Sequence, residues 1–272
     1  MRKSQFTKGD PKKRYARRKP MFIWIAILAV ALITVIPALY NNARIAIEIN
    51  PELTDKGPLA FALQNLLQPF ILGIGAIVFG HLFAHQVDLK SILYDWVLNR
   101  PEDSKKKAWF KKEVPMLRMA LLMGAVTALV AVGFDAVFQK QLPEILQQAS
   151  SSLTFANILS SVFYQGIAEE LLLRWGLMTA AVYILSSQGY NKKDWTYITG
   201  LILAVALFSL SRYRSFAAVI PTTTPILWAR VAIQGLGGAA FGYLYWKYHL
   251  EAAIIGHLTY QVTSLILTAI LL

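Results

Sequence analysis

The sequence predicts an all-α protein, a polytopic bundle of about seven transmembrane helices, and three features predict it. Of its 272 residues, 56% are hydrophobic and only 15% charged, whereas a soluble domain usually carries about 25% charged residues. Uncharged apolar runs recur at lengths near the roughly 20 residues that a helix needs to cross a hydrocarbon core of ~30 Å. No alternation of period two accompanies them, so the spans read as helices and not as strands of a barrel.

The first run, Met21 to Tyr40, carries no charge and spans directly. Similar stretches follow near 59–82, 114–138, 154–186, 196–211, 226–246 and 252–272. The fourth is long enough to be broken, or preceded by a re-entrant piece, which would make eight. Pro51, Gly57 and Pro58 punctuate one outer loop, and Pro221 with Pro225 another. The first apolar run exceeds the ~7–15 residues of a signal-peptide core and lacks a clear cleavage site, so it reads as a retained anchor. The chain divides into a basic tail, 1–20, and one transmembrane domain, 21–272. With no cysteine, it has no disulfide framework, thiol nucleophile or Cys-based metal site.

The net charge of +12 invites a nucleic-acid reading, and its distribution argues against one. Residues 1–20 hold nine Lys or Arg and one acid. The loop from roughly 86 to 113 adds seven, including Lys105, Lys106, Lys107, Lys111 and Lys112, and Lys192, Lys193 and Lys247 complete the side. The opposite loops hold Arg44, Lys56, Lys140, Arg212 and Arg214. Nineteen against five is the positive-inside pattern of a multi-pass protein whose N-terminus is cytoplasmic and whose C-terminus lies on the opposite side. The basic tail is suited to anionic headgroups, so membrane lipids are expected partners and nucleic acid is not.

Charges inside a span are costly, and each is a candidate site. Arg118, Asp135 and Arg230 lie near span ends, where long side chains reach the interface. His81 and His85, four residues apart, lack the further ligand that a metal site needs. Glu169, Glu170 and Arg174 are different, because the segment around them is otherwise apolar from Ile167 to Leu185. Glu170 and Arg174, at i and i+4, share a helix face and can pair, while Glu169 points about 100° away. A carboxylate desolvated beside a second carboxylate is suited to general-base work on water; two glutamates bracing the bundle through Arg174 is the equal alternative. His257 and Gln261, again four apart, project together from the last span. They can stabilise an oxygen that gains negative charge, or form an interhelical hydrogen-bonded pair.

Glu169-Glu170-x-x-x-Arg174, followed by Trp175-Gly176-Leu177-Met178, resembles the first motif of the CPBP family, the CAAX-protease and bacteriocin-processing intramembrane proteins that include Ras-converting prenyl-protein endopeptidases. The stretch from Gly242 through Leu250-Glu251-Ala252-Ala253 to His257 resembles its final motif. The resemblance covers about 150–272. It implies a helix bundle around a polar intramembrane cavity, with Glu169 as the base that activates water and Glu170 and Arg174 supporting it. It also implies that His257, with Gln261 in the place of the family's asparagine, stabilises the oxyanion. In the second motif Phe208 is in place, but Arg212 stands where the family has histidine, and a guanidinium cannot accept the proton of water.

The reading that follows is a CPBP/CAAX-type intramembrane endopeptidase that hydrolyses a peptide bond by glutamate-activated water. Its substrate is a peptide or protein, prenylated or of leader type. No cofactor is expected; a divalent metal stays open, although Glu169, Glu170 and His257 make a poor ligand set without the missing histidine. The alternative is a silenced family member acting as a membrane scaffold, immunity or partner-binding protein. A small proton-coupled transporter is the third.

Overall fold

The computed structural model describes residues 11–49, 57–98, 103–138, 140, 154–187, 193–217 and 225–271. Among them there is no strand. The elements are α1 (Pro11–Ile49), α2 (Gly57–Phe83), a 3₁₀ turn (Ala84–Val87), α3 (Ile92–Leu98) and α4 (Asp103–Phe138), then a long composite helix, α5, over 155–187. After it come α6 (Asp194–Ala217), α7 (Pro225–Lys247) and α8 (Leu250–Leu271). The protein is an all-α bundle, as its composition requires.

Four helices among the described residues are both long and apolar enough to cross a bilayer: Arg18–Asn41, Gly57–Val87, Glu113–Phe138 and Leu250–Leu271. Seven crossings were expected, and the difference has a compositional cause. α5 carries Glu169, Glu170 and Arg174, and α7 dilutes its apolar residues with Arg230, Gln234 and several glycines and aromatics. α6 is apolar only over the shorter stretch Asp194–Leu210. These apolar helices make the chain an integral membrane protein. The expected tail is only partly visible: residues 1–10 lie outside the described residues, and α1 starts at Pro11, ten residues before the predicted span.

α5 is not broken, and no separate re-entrant piece precedes it among the described residues. Thr154 caps its start, its hydroxyl accepting from the Asn157 N–H at 3.3 Å. After one α-helical turn (Phe155–Leu159) the backbone winds as π-helix over Ser160–Glu169 and again over Leu171–Met178, before α-helix resumes at Thr179–Ser187. A π-helix bonds residue i to i+5 and is usually confined to single turns near functional sites. Here it rotates the face of α5 that meets α8.

Small residues let these helices approach. A Cβ added at Gly124 of α4 would lie 2.3 Å from the carbonyl oxygen of Gly256 in α8, and one at Gly176 would lie 2.5 Å from Ala76 Cβ of α2. Such close crossings replace the hydrophobic drive that lipid does not supply. The core gathers Trp175, Tyr94, Tyr245, Leu171, Leu244 and Leu250, all essentially inaccessible. Outward faces stay apolar: Ile33, Leu67, Ile71, Leu122, Leu129 and Leu207 are each about half exposed or more, as lipid contact demands.

At the end of α2, Asp88 takes a left-handed backbone (φ 57°) and its N–H bonds the Ala84 carbonyl, turning the chain into α3. There the Tyr94 hydroxyl lies 2.8 Å from His81 Nδ1. Burial pushes the Tyr94 phenol above its ordinary range, so it stands as a neutral hydroxyl. His81 therefore has a tyrosine partner. Among the described residues no three His, Asp or Glu side chains converge as a metal ion would need.

Candidate active site

Two helices build the site, and their local sequence explains how. α8 opens with Leu250-Glu251-Ala252-Ala253 and presents His257 and Gln261 from one face, with Ala253 and Gly256 keeping the surrounding contacts close. α5 brings Glu170 and Arg174 against that face. Glu170 is 0% exposed, Arg174 3%, His257 5% and Gln261 6%. Four polar side chains buried to this depth are tolerable only if they satisfy one another.

They do so in a chain. Arg174 Nη1 lies 3.1 Å from Glu170 Oε1, the i, i+4 pair that the spacing predicts, and Nη2 donates to the Gly238 carbonyl of α7 at 2.7 Å. The same Glu170 oxygen lies 2.7 Å from His257 Nδ1. His257 Nε2 faces Gln261 Nε2 at 3.2 Å, and that amide donates to Gln165 Oε1 at 2.9 Å. Phe241 stacks on the imidazole, with ring centres 4.8 Å apart and an interplanar angle of 20°. Glu170 Oε2 is buried and makes no hydrogen bond among the described residues. A pocket of about 20 Å³, room for one water-sized occupant, opens beside Arg174, His257, Phe208 and Gly238. A second polar cavity of about 160 Å³ shares Gln234 and Tyr260 with it.

The residues singled out from sequence are thus distributed unevenly. Glu170, Arg174, His257 and Gln261 come together, and Phe208 lines the pocket beside them. Glu169 does not join them. It is partly buried and lines another cleft, about 390 Å³ in volume, with Asn65, Gln68 and Leu72 of α2 and Tyr164 of α5. Arg212 sits on α6 one turn beyond Phe208, and its side chain lies outside the described residues. Gln165 was missed. It is a lone amide upstream of the glutamates, and its only signal was polarity inside an apolar run; α-helical spacing would turn it away from Glu170, whereas at i, i+5 the π winding brings the two onto one face.

Asp135 and Arg230, read as separate interfacial charges, are partners: Arg230 Nη2 donates to Asp135 Oδ2 at 2.9 Å, where both side chains line the 160 Å³ cavity. Sequence spacing cannot show a pair 95 residues apart. The donor set does not favour a metal at His257, because Glu170 Oε1 already faces the cation of Arg174 as well as the imidazole.

With this geometry in view, one comparison bears on the family. Residues 151–263 match the family model described as type II CAAX prenyl endopeptidase Rce1-like. This segment is Rce1-like. It contains every residue of the buried chain, and the CPBP/CAAX-protease family read from the motifs is shown over it. At family level the match supports a CAAX-type intramembrane protease over this segment. No curated relative and no solved structure matches the chain.

Proposed function

We propose that the protein is an intramembrane endopeptidase that hydrolyses a peptide bond of a membrane-associated substrate. The buried Arg174–Glu170–His257–Gln261 chain within the Rce1-like segment carries this reading, since ionisable groups inside a membrane span are costly and mark functional sites by default. Glu169, in its own cleft, takes a proton from water as the oxygen attacks the carbonyl carbon. The tetrahedral oxygen gains charge, and the side chains of His257 and Gln261, which project together from α8, are the groups this reading assigns to stabilise it. Glu170 orients the His257 ring through Nδ1, and Arg174 holds Glu170. Collapse breaks the C–N bond, and the proton taken by Glu169 passes to the leaving amine. The basic tail places the N-terminus on the cytoplasmic side.

One observation favours a second reading, the silenced scaffold. Glu169 and His257 face different cavities, and Arg212 offers no base at the second motif. Purified protein in nanodiscs, offered quenched prenylated and unprenylated peptides, separates the two. Cleavage that disappears in Glu169→Ala and in His257→Ala supports the peptidase. Silence in the wild type with cleavage by Arg212→His supports the scaffold.

A further inference from the structure

We propose that the polar cavity between α4, α7 and α8 is a water-filled vestibule that brings solvent down to the buried chain at His257. It opens on the membrane face where α4 and α8 end and α7 begins. Two polar stripes line it. On α8, Tyr260, Ser264 and Thr268 recur every four residues and so share one face. On α7, Arg230 and Gln234 stand in the same relation, and Asp135 of α4 closes the ring. Both stripes run on into the buried site. His257 and Gln261 continue the first, and Gly238, whose carbonyl accepts from Arg174, continues the second.

Size and chemistry identify the occupant. The cavity measures about 160 Å³, and at ~30 Å³ per molecule it takes about five waters. Cavities that stay dry are lined by apolar side chains, whereas this one holds an ion pair and hydroxyl groups. Ser264 Oγ is buried and has no hydrogen-bond partner among the described residues, and a bridging water completes such a group. Asp135 and Arg230 are partly exposed within the cavity, and charges inside a membrane face the bundle interior or a water-filled space. Position fixes the opening: Asp135 lies near the end of α4 at Phe138, Thr268 near the end of α8 at Leu271, and Arg230 near the start of α7 at Pro225. At the deep end, Ile233, Gln234 and Tyr260 also line the pocket beside Arg174 and His257. Thr268 and His257 are separated by about 16 Å along α8. The other side of α8 is different in kind, since Val262 and Ile266 are apolar and about half exposed toward lipid.

In catalysis the vestibule keeps the His257 side of the site in contact with solvent while a substrate fills the cleft at Glu169. That consequence rests on the peptidase reading; the hydration does not, and its test needs no substrate. Because the chain has no cysteine, single thiols can report water without background. Thr268→Cys, Ser264→Cys, Gln234→Cys and Ile266→Cys, each as the full chain in nanodiscs, are treated with a charged, water-soluble methanethiosulfonate that reacts with thiolate. We expect Ser264→Cys to react about tenfold faster than Ile266→Cys, because a thiol facing hydrocarbon hardly ionises. This order is the reverse of their exposure in the bundle, where Ile266 is the more open. Rates should fall from Thr268→Cys through Ser264→Cys to Gln234→Cys, with the last still above Ile266→Cys. Unfolding temperatures equal to that of the wild type show that the variants keep their fold. Ser264→Cys reacting no faster than Ile266→Cys would mean a dry cavity and overturn the proposal. A reversed gradient, fastest at Gln234→Cys, would overturn it by placing the opening at the other end. Gln234→Cys no faster than Ile266→Cys would do so too, since water would then stop short of the buried chain. A wild type that cleaves no peptide while the thiols react as stated refutes the peptidase reading and leaves the vestibule standing.

Discussion

Glutamate–histidine contacts hold helix α8 at two levels, His249 with Glu251 and Glu113 at its start and His257 with Glu170 further along, and they are built differently. Near its start, Glu251 Oε2 meets His249 Nδ1 at 3.2 Å, while the carboxylate also accepts from the Ser91 hydroxyl at 2.6 Å and from the Ile92 and Leu93 N–H groups at 2.9 Å each. That carboxylate caps α3 from another helix, supplying the acceptor that its first N–H groups lack. Six residues along α8, His257 meets Glu170 at 2.7 Å. There the partners are a guanidinium and an imidazole, one oxygen takes both, and the other makes no hydrogen bond among the described residues. A carboxylate saturated by backbone donors is an anchor. One held by a cation and a titratable ring, with capacity left over, is equipped for proton chemistry.

The sharpest way to break this comparison is to remove each carboxylate in turn. Glu170→Ala strands Arg174 in the core, and the loss of one partner of a buried pair costs about 3–5 kcal/mol. Thermal unfolding in detergent should show the largest drop of any single variant here. Stability within error of wild type would mean that water already solvates the pair. Glu251→Gln keeps one acceptor and its shape, so about 1–3 kcal/mol is expected from the bonds left unmade. Its signature is local: the Ile92 and Leu93 amides should exchange hydrogen faster than the α8 core, and any proteolytic activity should survive. Equal protection at α3 and α8 would erase the distinction between anchor and site.

Gly124→Ala probes the crossing that sets α8 at its depth. The added Cβ meets the Gly256 carbonyl oxygen, the Thr259 β-carbon and the Tyr260 backbone nitrogen, none of them the far end of a flexible side chain, and overpacking of this kind costs about 1–3 kcal/mol. We expect the nitrogen-15 signals of the His257 ring to shift with it, because Gly256 adjoins His257. The smallest effect belongs to Asp135 and Arg230, whose side chains are 25% and 16% exposed. A double-mutant cycle with Asp135→Asn and Arg230→Gln should return a coupling of about 1 kcal/mol or less. A larger coupling would mark a second buried ionic site in place of a partly hydrated pair.

Composition and run length alone determined that the chain is a helical membrane protein, because only helices and closed barrels satisfy backbone groups in lipid. The first and last motifs were legible for the same reason: in an apolar run, Glu169, Glu170, Arg174, His257 and Gln261 are conspicuous by their cost. The i, i+4 pairing of Glu170 with Arg174 was legible too, being local geometry. Three things were decided by tertiary structure. Which glutamate meets His257 depends on the rotation of α5 against α8: Glu170 turns into the buried chain, and Glu169 lines a separate cleft. Gln165 enters the site through a π winding that no hydrophobic pattern announces, since apolar periodicity reports a buried face and not the hydrogen-bond register within it. Asp135 and Arg230, and Glu251 with the start of α3, meet only because the helices that carry them pack side by side.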